Sequence, residues 1–94
     1  MKEIHSISLP ERFDFSCHQQ FTKEYQEVLD EKSAKTIQLD FSRVNYLDSS
    51  ALGMMVLLHR KASALNIKTS LRGARGTALD ILNMANMKKL YQYD

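Results

Sequence analysis

The sequence predicts a small α/β domain, built on a compact central sheet that is mixed or largely parallel and carries its helices mainly on one face. Two stretches alternate with period two: Ile37, Leu39 and Phe41 oppose Gln38 and Asp40, and Ile67, Thr69 and Leu71 oppose Lys68, Ser70 and Arg72. Because only one side of each stretch is apolar, one sheet face is left to water. Between and around them, residues 17–31 and 51–65 repeat apolar side chains every three or four positions, the spacing of amphipathic helices. Ninety-four residues suit one domain with one modest core, spanning residues 1–94.

In chain order, residues 3–9 form the first predicted strand, with His5, Ile7 and Leu9 on one side and Ile4 on the other, until Pro10 stops the ladder. Glu11-Arg12-Phe13-Asp14 is a predicted turn or loop. Ser16 followed by Gln19 resembles a capping box for the first helix, in which His18, Phe21, Tyr25, Val28 and Leu29 recur at three- and four-residue intervals, with Cys17 and His18 its ambiguous members. A polar link over residues 31–35 leads to the strand at residues 36–41, and residues 42–46 connect that strand to the second helix. This helix carries Leu52, Met55, Leu58 or His59, Ala62 and Leu65, with Val56 and Leu57 widening its apolar side. After the strand at residues 66–72, Gly73 and Gly76 mark a turn, and Thr77 with Asp80 predicts the cap of a third helix facing the core through Ala78, Ile81, Leu82 and Ala85. Lys88 and Lys89 suit that helix's carboxyl end. Leu90, Tyr91 and Tyr93 close the chain as a short strand or a packed tail.

Composition narrows the function by exclusion. Thirteen basic and eleven acidic side chains leave a formal charge of +2, too small a surplus to imply direct nucleic-acid binding. The apolar run at Met54 to Leu58 is far shorter than a membrane span, no apolar leader opens the chain, and a soluble protein without membrane insertion is expected. The single Cys17 rules out an internal disulfide and fits an intracellular protein. The three histidines, His5, His18 and His59, are too far apart in sequence for a local metal motif, and no cofactor or metal site is expected. Gly73-Ala74-Arg75-Gly76 lacks the phosphate-loop and dinucleotide patterns, although Arg72 and Arg75 have the charge to approach an anionic partner. Asp48-Ser49-Ser50-Ala51 lacks the Gly-x-Ser-x-Gly elbow of serine hydrolases. The expectation is a binding module and not an enzyme.

The stretch that concentrates local chemistry is Tyr46-Leu47-Asp48-Ser49-Ser50-Ala51-Leu52-Gly53, a cluster of hydroxyl residues at a strand-to-helix junction. Asp48, Ser49 or Ser50 can cap the helix, because its first amides lack intrahelical partners. Those amides and the helix dipole also receive an anion, so a phosphate on Ser49 or Ser50 would meet donors there and the Asp48 carboxylate beside them. Gly53 costs helix propensity on the order of 1 kcal/mol relative to alanine, which points to close packing or to close approach by a partner. Met54 and Met55 read as core and boundary side chains, an exposed Met54 being an adaptable protein contact.

With Leu39-Asp40-Phe41-Ser42-Arg43-Val44-Asn45-Tyr46-Leu47-Asp48-Ser49-Ser50-Ala51-Leu52-Gly53 followed by a helix, a strand and a further helix, most of the chain resembles the sulfate-transporter and anti-sigma-antagonist family, the STAS domain. Ala51 departs from the glycine more usual after the hydroxyl pair. The resemblance implies a cytoplasmic, non-catalytic anti-sigma factor antagonist that binds an anti-sigma factor or switch kinase when unphosphorylated. It also implies that the partner kinase phosphorylates it at Ser49, with Ser50 as a secondary acceptor, and that a PP2C-type phosphatase reverses the change. The implied recognition region is Asp48, Ser49, Ser50, Gly53 and Met54. The alternative it implies is a non-catalytic STAS subunit of a lipid or organic-solute ABC transport complex.

Overall fold

Residues 36–41 supply the strand on which the others are laid. In a computed structural model, which describes residues 4–31 and 34–94, this strand is β3 (Thr36–Asp40), flanked by β1 (Ile4–Ser8) and β5 (Lys68–Arg72). The sheet order is β1-β3-β5-β6, with β6 at Gln92–Tyr93, and every pairing among the described strands is parallel. Register explains the two-sidedness expected from the alternation. Ile7, Leu39, Leu71 and Tyr93 form one row and Ile37 with Thr69 the next, all toward the core, while Ser6, Gln38, Ser70 and Gln92 form the opposite, polar row. Gln38 Nε2 donates to Asp94 Oδ2 at 2.8 Å across that polar face. Glu3 and the Lys32-Ser33 part of the predicted link lie outside the described residues.

Three helices cover the apolar face: α1 (His18–Glu31) packs on β1, α2 (Ser49–Ala64) packs on β5 and against α1, and α3 (Gly76–Met84) completes the layer. Of the positions that recur along α1, Phe21, Tyr25, Val28 and Leu29 are buried and His18 is exposed. Phe13 stands edge-on to Phe21 at 5.1 Å and to Phe41 at 6.1 Å, and Phe21 to Tyr25 at 5.2 Å, so a chain of tilted aromatic rings fills the space between α1 and the sheet. Tyr91, also buried, donates its hydroxyl to the Met55 carbonyl at 2.7 Å and ties the carboxyl-terminal segment to α2.

Several local expectations are corrected. Arg12–Phe13 is not simply loop: it is a two-residue strand, β2, paired in parallel with β4 (Tyr46–Leu47) inside the predicted connection. The anchors are Phe13 and Leu47, both buried, with the Glu11 carbonyl accepting from the Asn45 amide at 3.0 Å. Ser16 does not cap α1. Asp14 instead accepts from the Ser16 amide and hydroxyl and starts a 3-10 turn, Phe15–Cys17, the carboxylate bonding the backbone amide two residues on. Thr77 likewise is no cap, since α3 already begins at Gly76 behind Arg75, which makes no side-chain cap bond. Leu65 lies past the end of α2 and is exposed, so it leaves the apolar stripe to Ala51, Met54, Met55, Leu58 and Ala62. Asn66, in the left-handed region with φ of 59°, ends α2: its amide and that of Ile67 return to the Ser63 and Ala62 carbonyls.

The turn expected at Gly73 has a specific cause. Its φ is +76°, and a Cβ added there would stand 3.0 Å from the Ser42 amide nitrogen. Only glycine lets the β5–α3 loop pass so close to the loop that leads to β4.

Candidate functional site

The second ribbon fixes the start of α2. Leu47 is sealed in the core, so the next residue leaves the interior with extended backbone (φ −113°, ψ −177°) and Asp48 becomes the N-cap. Its Oδ1 accepts from the Ala51 amide at 2.9 Å, and its carbonyl accepts from Leu52 at 3.2 Å. Of the three residues with the chemistry to cap, the aspartate does it. The two serines are therefore released from that duty: Ser49 occupies the first helical position and is exposed, while Ser50 occupies the second and is half-buried. The amides of Ser49 and Ser50 lie in the first turn, where the helical ladder offers no acceptor.

Helical spacing then decides which residues join Ser49 on the outer surface. Gly53 lies one turn on and Leu57 a further turn on, and both are exposed, Leu57 at 44%. A Cβ at Gly53 would meet nothing within 4 Å, so no packing inside the domain requires glycine there. Of the two explanations open for this residue, close intramolecular packing is removed. Met54 is also corrected. It is only 7% exposed, because residue 54 falls on the inward side of α2 with Met55 and Leu58, and it supports the surface from beneath instead of presenting it. Ala51 is fully buried too, which keeps its departure from glycine away from the outer face.

The structure thus brings Asp48, Ser49, Ser50 and Gly53 together and withdraws Met54. Leu57 is the member that pattern reading assigned to the apolar side; its four-residue spacing from Gly53 is the signal that places it outward. Arg72 and Arg75 are engaged elsewhere. Arg72 lies 3.8 Å from Asp40, and Arg75 Nη2 donates to the Ser42 carbonyl at 3.5 Å. The Ser42 amide and hydroxyl, with Arg72 behind them, hold the Asp40 carboxyl below its ordinary range. Cys17 donates its thiol to the Arg12 carbonyl at 3.3 Å, His18 stacks on Phe15, and His59 bonds Thr69, so the reactive side chains are dispersed. Among the described residues no group of three or more His, Cys, Asp or Glu side chains is placed to hold a metal. No described helix is long and apolar enough to cross a membrane.

A family model described as "Mlab, STAS domain" matches residues 3–92, which span the three helices and all but the last residue of this sheet. The chain belongs to the STAS family. A STAS-domain containing protein of Pseudomonas aeruginosa is 34% identical over 87 residues, covering 93% of this chain and 84% of that one. Among solved structures, the STAS fold seen here superposes on the Thermotoga maritima protein TM1081 with a TM-score of 0.84 at 21% identity, over 100% of this chain and 81% of that one. It superposes on the Bacillus cell fate determinant SpoIIAA in its phosphorylated form with a TM-score of 0.75 at 19% identity, over 100% and 85% of the two chains. These likenesses establish the fold.

Proposed function

We propose that this STAS domain is a phosphorylation-controlled anti-sigma factor antagonist. The observation that carries the reading is the exposed Ser49 at the first position of α2, freed from capping by Asp48 and aligned with an unobstructed Gly53. In the unmodified state the face formed by Asp48, Ser49, Ser50 and Gly53, extended by Leu57, docks on an anti-sigma factor or switch kinase. Gly53 admits the partner's main chain close to the helix, and Leu57 supplies apolar area. Phosphorylation of Ser49 by the partner kinase adds nearly two negative charges beside Asp48. The free amides of Ser49 and Ser50 accommodate the phosphate without unfolding the helix, while the partner meets new charge and a bound hydration shell. A few kcal/mol of differential binding is enough to empty the complex. A PP2C-type phosphatase resets the cycle. The protein acts in the cytoplasm, without catalysis of its own, and Ser50, half-buried, is the secondary acceptor.

Intact-mass analysis after exposure to the cognate kinase, repeated with Ser49→Ala, tests this. The expected result is one added phosphate that Ser49→Ala abolishes, with the variant locked in the binding state. Phosphate wholly elsewhere, with partner binding unchanged in Ser49→Ala, would refute Ser49 as the switch.

A second reading, a non-catalytic STAS subunit of a lipid or organic-solute ABC transport complex, is favoured by Leu57. An apolar side chain exposed beside a bare glycine suits permanent docking and needs no modification. Stable co-purification with permease and ATPase subunits, unaffected by Ser49→Ala, selects it.

A further inference from the structure

Because the sheet is parallel and α2 runs back across it, α2 ends where β5 begins, at the opposite end of the domain from Ser49. From residue 49 to residue 63 the helix rises about 21 Å. At that far end lies an open groove of about 630 Å³ with a floor of Ile67, Leu90 and Tyr91. Three lysines line it from two separate segments: Lys68 from the first position of β5, and Lys88 and Lys89 from the 3-10 turn Met87–Lys89. Among the described residues no aspartate or glutamate lines the groove. Among the described residues Lys68, Lys88 and Lys89 make no ion pair, and Lys88 rests 5.5 Å from the Tyr93 ring. A concentration of like charge without a carboxylate is relieved by a ligand anion.

The groove has a braced wall. Thr69 Oγ1 donates to the Leu90 carbonyl at 3.0 Å, and His59 Nδ1 lies 2.8 Å from the same oxygen. A hydroxyl has one proton to give, so His59 is the donor through Nδ1–H. This relay joins α2, β5 and the segment after α3, and so holds the lysine-bearing elements at fixed spacing. Ser63, Asn66 and Gln92 add neutral hydrogen-bonding groups around the rim. Several ammonium charges on different elements, with hydroxyl and amide groups between them, suit a compact anion with three or more acceptor oxygens better than a two-oxygen carboxylate. The apolar floor takes a small organic body.

We propose that this groove binds a phosphate ester, either free in solution or as the headgroup of a lipid. The site is separate from the Ser49 face, and its failure would leave the partner-switch reading untouched. Amide and imidazole resonances of the full chain are followed by NMR at constant ionic strength with four probes: inorganic phosphate, glycerol 3-phosphate, adenosine monophosphate, and vesicles of phosphatidylglycerol in phosphatidylcholine. Saturable shifts confined to His59, Ser63, Lys68, Thr69 and residues 88–92 are expected with at least one ester. A response to the soluble esters identifies a free ligand, and a response to vesicles alone identifies a headgroup; both support the site. Lys68→Gln with Lys89→Gln weakens binding by about tenfold or more, and Lys88→Gln alone weakens it less, with unperturbed resonances around Ser49 reporting a retained fold. The control pair Arg43→Gln with Arg75→Gln leaves binding unchanged. No saturation below about 10 mM, shifts spread over every basic surface, or equal losses in the lysine and arginine pairs would overturn the proposal.

Discussion

Replacing Gly53 by alanine separates what the domain needs from what its partner needs. The residue sits inside a 16-residue helix, its φ is not positive, and an added Cβ would meet no atom within 4 Å. With no steric cost, only the backbone term is left. Alanine is favoured over glycine in a helix interior by about 1 kcal/mol. For a domain of this length that corresponds to a rise in Tm of about 4–8 °C, read by thermal melts followed by circular dichroism, with urea unfolding as a second measure. Binding moves the other way. A methyl group forced between two closely packed surfaces costs about 1–3 kcal/mol, or about 5- to 150-fold in Kd, read by calorimetry against the proposed kinase or anti-sigma partner. The two results together are diagnostic, because a merely structural glycine lowers stability when replaced. A fall in Tm would show that Gly53 serves the fold, and a higher Tm with unchanged affinity would remove the outer face of α2 from the docking surface.

Three further substitutions probe the scaffold. Gly73→Ala, at φ of +76° and facing the Ser42 backbone at 3.0 Å, should lower unfolding free energy by about 1–3 kcal/mol in urea titrations, the reverse of the change at Gly53. Asp48→Ala removes the 2.9 Å cap on the Ala51 amide and should cost about 1 kcal/mol, with faster hydrogen exchange confined to the first turn of α2. Tyr91→Phe loses the 2.7 Å bond to the Met55 carbonyl and should cost about 1 kcal/mol at neutral pH. It should also change the alkaline limb of the stability profile. Burial first, and the Tyr25 phenol second, push the Tyr91 phenol well above its ordinary range. Below the unfolded phenol's titration at about pH 10, both states keep the proton and the full contribution is present. Above it, the unfolded chain alone releases the proton, so stability falls by up to about 1.4 kcal/mol per pH unit until the folded phenol titrates. Wild type should therefore lose stability above that pH more steeply than Tyr91→Phe, and parallel profiles would contradict the assignment.

The parts of the fold legible in the sequence are those governed by a single period. Ile37 and Leu39 on one side of β3, and Phe21, Tyr25, Val28 and Leu29 along α1, are buried where alternation and helical spacing place them. Illegible were the features in which two distant segments meet. Arg12–Phe13 is too short to announce a strand, and acquires that conformation only because Tyr46–Leu47 lies beside it. The competition at Asp14 and Ser16 was decided by which oxygen reaches a free amide, and a spacing rule does not contain that distance. The junction shows both limits at once. Residue types alone left Asp48, Ser49 and Ser50 equivalent as caps, and helical wheels alone left Met54 near the surface. Burial of Leu47 by the second ribbon sets the phase of α2, and that phase turns Met54 inward, gives the cap to Asp48 and puts Ser49, Gly53 and Leu57 on one exposed line. The phase of the candidate site is therefore fixed by a contact between residues 12–13 and 46–47. A substitution that shortens Leu47 should perturb the presentation of Ser49 before it unfolds the sheet. Leu47→Ala is expected to cost about 2–5 kcal/mol, and at temperatures where the variant still folds its amide exchange should rise first at residues 48–52. Uniform loss of protection across β3 and α2 together would show instead that the ribbon and the main sheet unfold as one unit.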